Sequence, residues 1–213
     1  MFFKMLAYYS QNMDNYWNGV LTHLTISLQA VLAAILIGVP LGILCAKNEK
    51  SARIISGSIN VLRVIPSLAL MVILIPLMGI GKTPAIIALT ILAIPPVMIN
   101  TSAGFLGIEP MVLETARGMG MSPGQSFLKV EVPLAFPLVL TGIRTSAVET
   151  IASASIAAYI GAGGLGNLVF TGIGVNRAEI VLLGGLSIAV ISISADLILS
   201  FLQSRIGRIW DNN

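Results

Sequence analysis

Long apolar runs alternate with short polar ones along this chain. Five of the runs are long enough to cross about 30 Å of hydrocarbon as helices, at 20–46, 54–78, 84–105, 136–160 and 180–203. Lys47, Glu49, Lys50 and Arg53 separate the first two; the turn Gly79-Ile80-Gly81-Lys82-Thr83 joins the second to the third; a glycine-rich connection from Gly161 to Glu179 joins the fourth to the fifth. Between the third and fourth, over 106–135, the pattern changes character. Pro110 suits a first helical position, where its missing N–H needs no partner. Gly118 and Gly120 can take the left-handed geometry that ends a helix. Ser122, Pro123 and Gln125 read as N-cap, first residue and capping-box partner of a second helix, and Pro133 is expected to close it. Two short helices around a tight turn, where a plain link would suffice, imply that something docks there.

The architecture this predicts is all-α: a polytopic membrane bundle of five transmembrane helices over 20–205. It follows an interfacial segment 1–19 and precedes a short tail 206–213. Composition agrees. Of 213 residues 56% are hydrophobic and 10% charged, against about 25% charged in soluble domains, and the mean hydropathy is +0.94. Segment 1–19 carries Lys4 but also Tyr8, Tyr9, Tyr16 and Trp17, which suits headgroup level better than a cleavable leader. The net charge of +3 comes without a dense basic patch, so nucleic acid is not an expected partner. Lys47, Lys50, Arg53, Arg117, Lys129, Arg205 and Arg208 fall on one side of the spans, against Lys4, Lys82 and Arg177 on the other. The positive-inside bias therefore predicts a cytoplasmic 106–135 loop and C-terminus and an external N-terminus.

Candidate chemistry is sparse. Cys45 is the only cysteine and His23 the only histidine. The first is expected to be a small apolar residue near a helix end, the second a polar residue near the outer membrane surface. No catalytic group and no metal site is expected. Pro40, Pro66, Pro76, Pro95 and Pro96 interrupt backbone hydrogen bonding, which survives in a membrane only against protein or a cavity. Gly38 and Gly42 stand four apart, a spacing that lets a neighbouring helix approach closely. Arg63, Arg144, Glu149 and Asp196 lie within or near the spans. A lone charge at a helix centre costs about 2.5–3.5 kcal/mol on insertion scales. The equal numbers of each sign suggest that Arg63 or Arg144 faces Glu149 or Asp196. These four, with Pro66, are the candidates for intramembrane pairs or for a translocation path.

Gly161-Ala162-Gly163-Gly164-Leu165-Gly166 matches G-x-G-x-x-G literally. A dinucleotide site needs a strand before it, a helix after it and an acidic residue farther on; here a transmembrane segment precedes it, on the side away from nucleotide. A re-entrant loop beside a path is the better reading. No P-loop pattern occurs, so no nucleotide cofactor is expected on this chain, and ATP would act through another polypeptide.

Set against known families, Glu114-Thr115-Ala116, then Gly120, then Val130, Val132 and Pro133 resemble the cytoplasmic signature loop of bacterial ABC importer permeases. That motif runs Glu-Ala-Ala, Gly, and Ile-x-Leu-Pro at the same spacing. Threonine replaces the first alanine, and valine replaces both isoleucine and leucine. The resemblance extends from about residue 20 onward. Arg63-Val64-Ile65-Pro66-Ser67-Leu68-Ala69-Leu70, Gly79-Ile80-Gly81, Asn100-Thr101, Gly142-Ile143-Arg144 and Ile160 to Gly166 are similar to the osmoprotectant branch, which imports glycine betaine, carnitine and choline. Methionine importers share the five-span plan and are the nearest alternative.

The resemblance implies a permease subunit paired with a second permease, a homodimer or a related chain. Two cytoplasmic ABC ATPases, which bind the ATP, and an extracytoplasmic solute-binding protein complete the expected assembly in the lipid of a bacterial cell membrane. It implies alternating access, with Glu114, Thr115, Ala116, Gly120, Val130, Val132 and Pro133 in the ATPase-coupling loop. Physically, a short helix carrying Met111, Val112, Met119 and Met121 suits a partner groove, and methionine suits a surface that repacks. Glu114 stands one turn from Arg117 and either orients it or bonds a partner's backbone; the sequence leaves both open. Quaternary ammonium groups are usually held by aromatic cages, yet Phe105, Phe136 and Phe170 lie near span ends. Selectivity is therefore expected in the binding protein. An ion-driven secondary transporter would bring inverted repeats, and none is found. A membrane enzyme would bring clustered His, Asp or Glu, and a bare anchor would not need charges and prolines in its spans.

Overall fold

The computed structural model describes residues 2–211, with side chains described except at 49, 51, 56, 58, 60–63 and 206–211. The described residues are helical almost throughout. In chain order they form α1 (Phe2–Gln11), α2 (Met13–Lys47), α3 (Glu49–Val64), α4 (Ser67–Met78), α5 (Lys82–Leu106), α6 (Pro110–Gly118), α7 (Pro123–Ser126), a π turn (Phe127–Glu131), α8 (Val132–Ala154), a 3-10 turn (Ile156–Ile160), α9 (Gly166–Gly174) and α10 (Ala178–Asp211).

Among the described residues four helices are long and apolar enough to cross a membrane: α2, α5, the continuous run Pro123–Ala154, and α10 over Ala178–Arg205. The stretch expected at 54–78 is divided. Pro66 has no N–H and forces the residue before it out of the helical region, so α3 stops at Val64 and α4 starts at Ser67. With 12 residues, α4 is about 18 Å long at 1.5 Å per residue. The other intrahelical prolines, Pro40, Pro76, Pro95, Pro96 and Pro137, are carried inside helices without ending them.

The bundle is built on α5, which lies between α2 and α8. Close packing here depends on missing side chains. A Cβ at Gly42 would stand 2.6 Å from Cβ of Thr101, and one at Gly142 would stand 2.7 Å from the Pro96 carbonyl oxygen. Ile26 and Ala30 of α2, Met71 of α4, and Ala85, Ala88 and Leu89 of α5 form one buried cluster with Ala154, Ala157 and Ile160. α4 is thus part of the core despite its length. α10 packs on α8 and α9 along the outside of this sandwich.

Two further expectations need correction. Pro133 does not close a helix. The π turn before it is wider, with the Val132 N–H bonded to the Phe127 carbonyl, and a widened turn relieves the clash a proline ring makes with the preceding turn. The helical run therefore extends from Pro123 to Ala154 with no break. Next, the glycine-rich connection is not only a loop, for it contains α9. His23, expected near the outer membrane surface, is 1% exposed within the bundle, its Nε2 3.0 Å from the Ile151 carbonyl oxygen. Helix α2 begins at Met13, upstream of the expected span.

Candidate functional site

The segment between α5 and α8 is held by local chemistry at each joint. Pro110 opens α6 as its first residue. The helix ends in a left-handed cap: Gly120 has φ +80°, its N–H bonds the Arg117 carbonyl at 2.9 Å, and the Met121 N–H bonds the Ala116 carbonyl at 3.2 Å. This pair of bonds is a Schellman closure, which glycine meets without steric cost. Ser122 then caps α7 in a full capping box: its N–H bonds Gln125 Oε1 at 2.9 Å, and its Oγ accepts from the Gln125 N–H at 3.4 Å.

Aromatic packing fastens this device to the bundle. Phe127 stacks on Phe105 with ring centroids 5.7 Å apart, and Lys47 Nζ sits 4.1 Å from the Phe127 ring centroid. Together they tie the end of α2, the end of α5 and the π turn. The sequence reading missed both Lys47 and Phe127 as positioning residues. The only signal was one aromatic at the edge of the polar loop and one within it, and no local spacing links Lys47 to a residue so distant in the chain.

Between α6 and the π turn lies an open groove of about 340 Å³, lined by Met111, Val112, Thr115, Ala116, Met119 and Val130, with Glu109 and Met121 at its margins. Its rim is apolar and solvent-facing; Met111 is 73% and Met119 70% exposed. Of the loop residues singled out from sequence, Thr115, Ala116 and Val130 meet in this groove. The Thr115 hydroxyl donates to the Met111 carbonyl, and Ala116 is buried. Gly120 supplies the turn. Val132 is half-buried and Pro133 buried, at the start of α8. Glu114 is exposed, and among the described residues no ion pair joins it to Arg117. Arg117 instead faces a second cavity, with Lys47, Phe105 and Glu131.

The membrane charges separate into two groups. Arg144 of α8 meets Asp196 of α10 in a two-pronged ion pair, Nε donating to Oδ1 at 2.5 Å and Nη2 to Oδ2 at 2.7 Å. Gln203 Nε2 extends this seam by donating to the Thr141 hydroxyl at 2.8 Å. Glu149 points elsewhere, since five residues along α8 is a rotation of about 140°. It lines a cavity of about 390 Å³ between α4, α5 and α8, with Ser67, Leu92, Pro96, Thr150 and Ser153. Among the described residues it has no ion-pair partner. Pro66 directly precedes Ser67, which lines this cavity, while the Arg63 side chain lies outside the described residues.

The model of the family described as "Binding-protein-dependent transport system inner membrane component" matches residues 38–208. The chain is 38% identical to the choline transport system permease protein OpuBB of Bacillus subtilis (strain 168), over 86% of this chain and 85% of that protein. It is 38% identical to the carnitine transport permease protein OpuCB of Listeria monocytogenes, over 95% and 93%. A solved structure of the MetNI methionine ABC transporter in an inward-facing conformation superposes with a TM-score of 0.78 at 25% identity, covering 92% of this chain and 96% of that one.

Proposed function

Because the chain belongs to the family of binding-protein-dependent transport system inner membrane components, a multi-pass transport subunit and not an enzyme, we propose that it forms the translocation path of an ATP-driven importer for a small osmoprotectant such as glycine betaine, carnitine or choline. One observation carries the solute class: the likeness to choline and carnitine permeases spans most of both chains, at higher identity than the likeness to the methionine transporter. An amino-acid solute is the less favoured reading.

In this reading the basic residues at 47–53, 117, 129 and 205 put the groove on the cytoplasmic side. The chain crosses five times, α3 and α4 together making the second crossing around Pro66. α6, with Met111, Val112 and Met119 exposed, seats in a groove of a separate ABC ATPase, which binds the ATP, in the manner of a helix-in-groove contact. Two ATPases serve two permeases, and an extracytoplasmic binding protein delivers solute. ATP-driven closure of the ATPases pulls on α6; the continuous run from α7 into α8, clamped by Phe127 and Lys47, transmits that motion to the spans. Glu114, exposed and unbonded to Arg117, is free to meet the partner's backbone.

The test is uptake by the reconstituted complex. ATP-dependent accumulation of betaine, carnitine or choline, with little methionine uptake, is expected. Methionine uptake alone, or accumulation that follows an ion gradient without ATP, contradicts the reading. Coupling is tested at the turn. Gly120→Asp places a side chain at positive φ, where L-residues are strained, and adds a charge beside the groove. Uptake is expected to vanish and the ATPase to copurify poorly; normal recovery of both would remove the coupling role.

A further inference from the structure

Of Glu149 on α8 and Asp196 on α10, Asp196 pairs with Arg144, and among the described residues Glu149 has no ion-pair partner. An ionisable side chain within a membrane segment is retained where it meets a partner, water or a solute. Glu149 lies on an exposed stripe of α8 with Thr145 and Ala152, set one or two turns apart and thus on one face. This face opens into the cavity between α4, α5 and α8. Its volume of about 390 Å³ falls within the roughly 300–1,000 Å³ of small-molecule sites.

Leu89, Leu92, Pro96 and Ala152 line the cavity with apolar atoms, and Ser67, Thr150 and Ser153 add hydroxyl-bearing side chains. A carboxylate set among methylene groups and a few hydroxyls matches one kind of solute: a compact cation with an apolar surface. A quaternary ammonium group has no N–H to donate, so charge and methyl contacts are all that can hold it. Among the described residues no aromatic ring lines the cavity to provide a cation–π face. The carboxylate is therefore the group that recognises the charge.

Building on the osmoprotectant reading above, we infer that Glu149 and this cavity form a solute subsite in the permease itself, which takes the trimethylammonium head of the transported compound. Solute released by the binding protein pauses there, and part of the selectivity belongs to this chain. This departs from the expectation that selectivity resides in the binding protein.

The experiment uses the whole complex in proteoliposomes, with choline and glycine betaine as probes. Glu149→Gln keeps the shape and removes the charge. Its maximal uptake is expected to fall about tenfold or more, with little change in the solute concentration giving half-maximal rate, which the binding protein sets. ATP hydrolysis and subunit copurification stay near wild type, and Glu149→Asp recovers much of the uptake. A second arm replaces Glu149 by cysteine in a Cys45→Ala background. Coupling a sulfonate-bearing thiol reagent is expected to restore uptake, and a trimethylammonium-bearing reagent to leave it blocked. Wild-type uptake by Glu149→Gln, or equal effects of both reagents, would overturn the subsite while leaving the osmoprotectant reading intact. A wild-type complex that carries methionine and neither probe would overturn both.

Discussion

Replacing Gly142 by leucine is expected to leave almost no folded protein to extract from the membrane. Even a bare Cβ at this position would meet the Pro96 carbonyl oxygen at 2.7 Å, Cβ of Asn100 at 2.8 Å and Cα of Val97 at 3.1 Å. Those atoms are backbone or the root of a side chain, so no rotamer change relieves the contact, and α8 would have to leave α5. Overpacking a core that can adjust costs about 1–3 kcal/mol and sometimes more; here the adjustment would separate the two most central helices. Gly142→Ala is expected to lower the melting temperature in detergent, and Gly142→Leu to abolish the monodisperse peak in size-exclusion chromatography. Gly185→Leu is the control, because a Cβ there meets nothing within 4 Å and leucine favours a helix over glycine. Equal recovery of all three variants would show that the α5–α8 contact is looser than the distances imply.

The second large effect is expected at the α8–α10 seam. Arg144→Asp and Asp196→Arg each set like charges against one another where a two-pronged pair now sits, and each is expected to reduce recovery and uptake severely. The combined swap restores opposite charges at the same two positions and is expected to recover a substantial part of both. Arg144→Lys falls in between, since an ammonium cannot reproduce the planar fork that bonds both carboxylate oxygens. A double swap no better than either single reversal would mean that the pair does not hold the seam. Among the described residues Glu149 has no such partner to restore, which separates the structural charges from the one facing the cavity.

These two sites also explain residues that the sequence presents only as a family resemblance. Gly142 of Gly142-Ile143-Arg144 lies against Asn100 of Asn100-Thr101, and Thr101 lies against Gly42. Arg144 is half of the ion pair. Their roles are close packing and charge pairing between helices. Nothing in their immediate neighbourhood states this, because each partner is supplied by a different span.

The features legible along the chain are those decided within a turn of helix or by partition between water and hydrocarbon. Hydropathy marks α2, α5, α8 and α10, because an apolar run of that length has nowhere else to satisfy its backbone. Pro110, Gly120, Ser122 and Gln125 mark the α6–α7 turn, because caps bond residues only a few positions away. Packing decides the rest. Only the assembled bundle shows that Arg144 chooses Asp196 over Glu149, since on one helix Arg144 and Glu149 are near in number but point apart. Burial of His23 against the Ile151 carbonyl is likewise set by how α2 meets α8. Whether a proline ends a helix, as Pro66 does, or is carried through, as Pro133 is, depends on room for its ring and a new acceptor for the displaced backbone bonds. A widened turn provides both at Pro133, and no short-range rule predicts it.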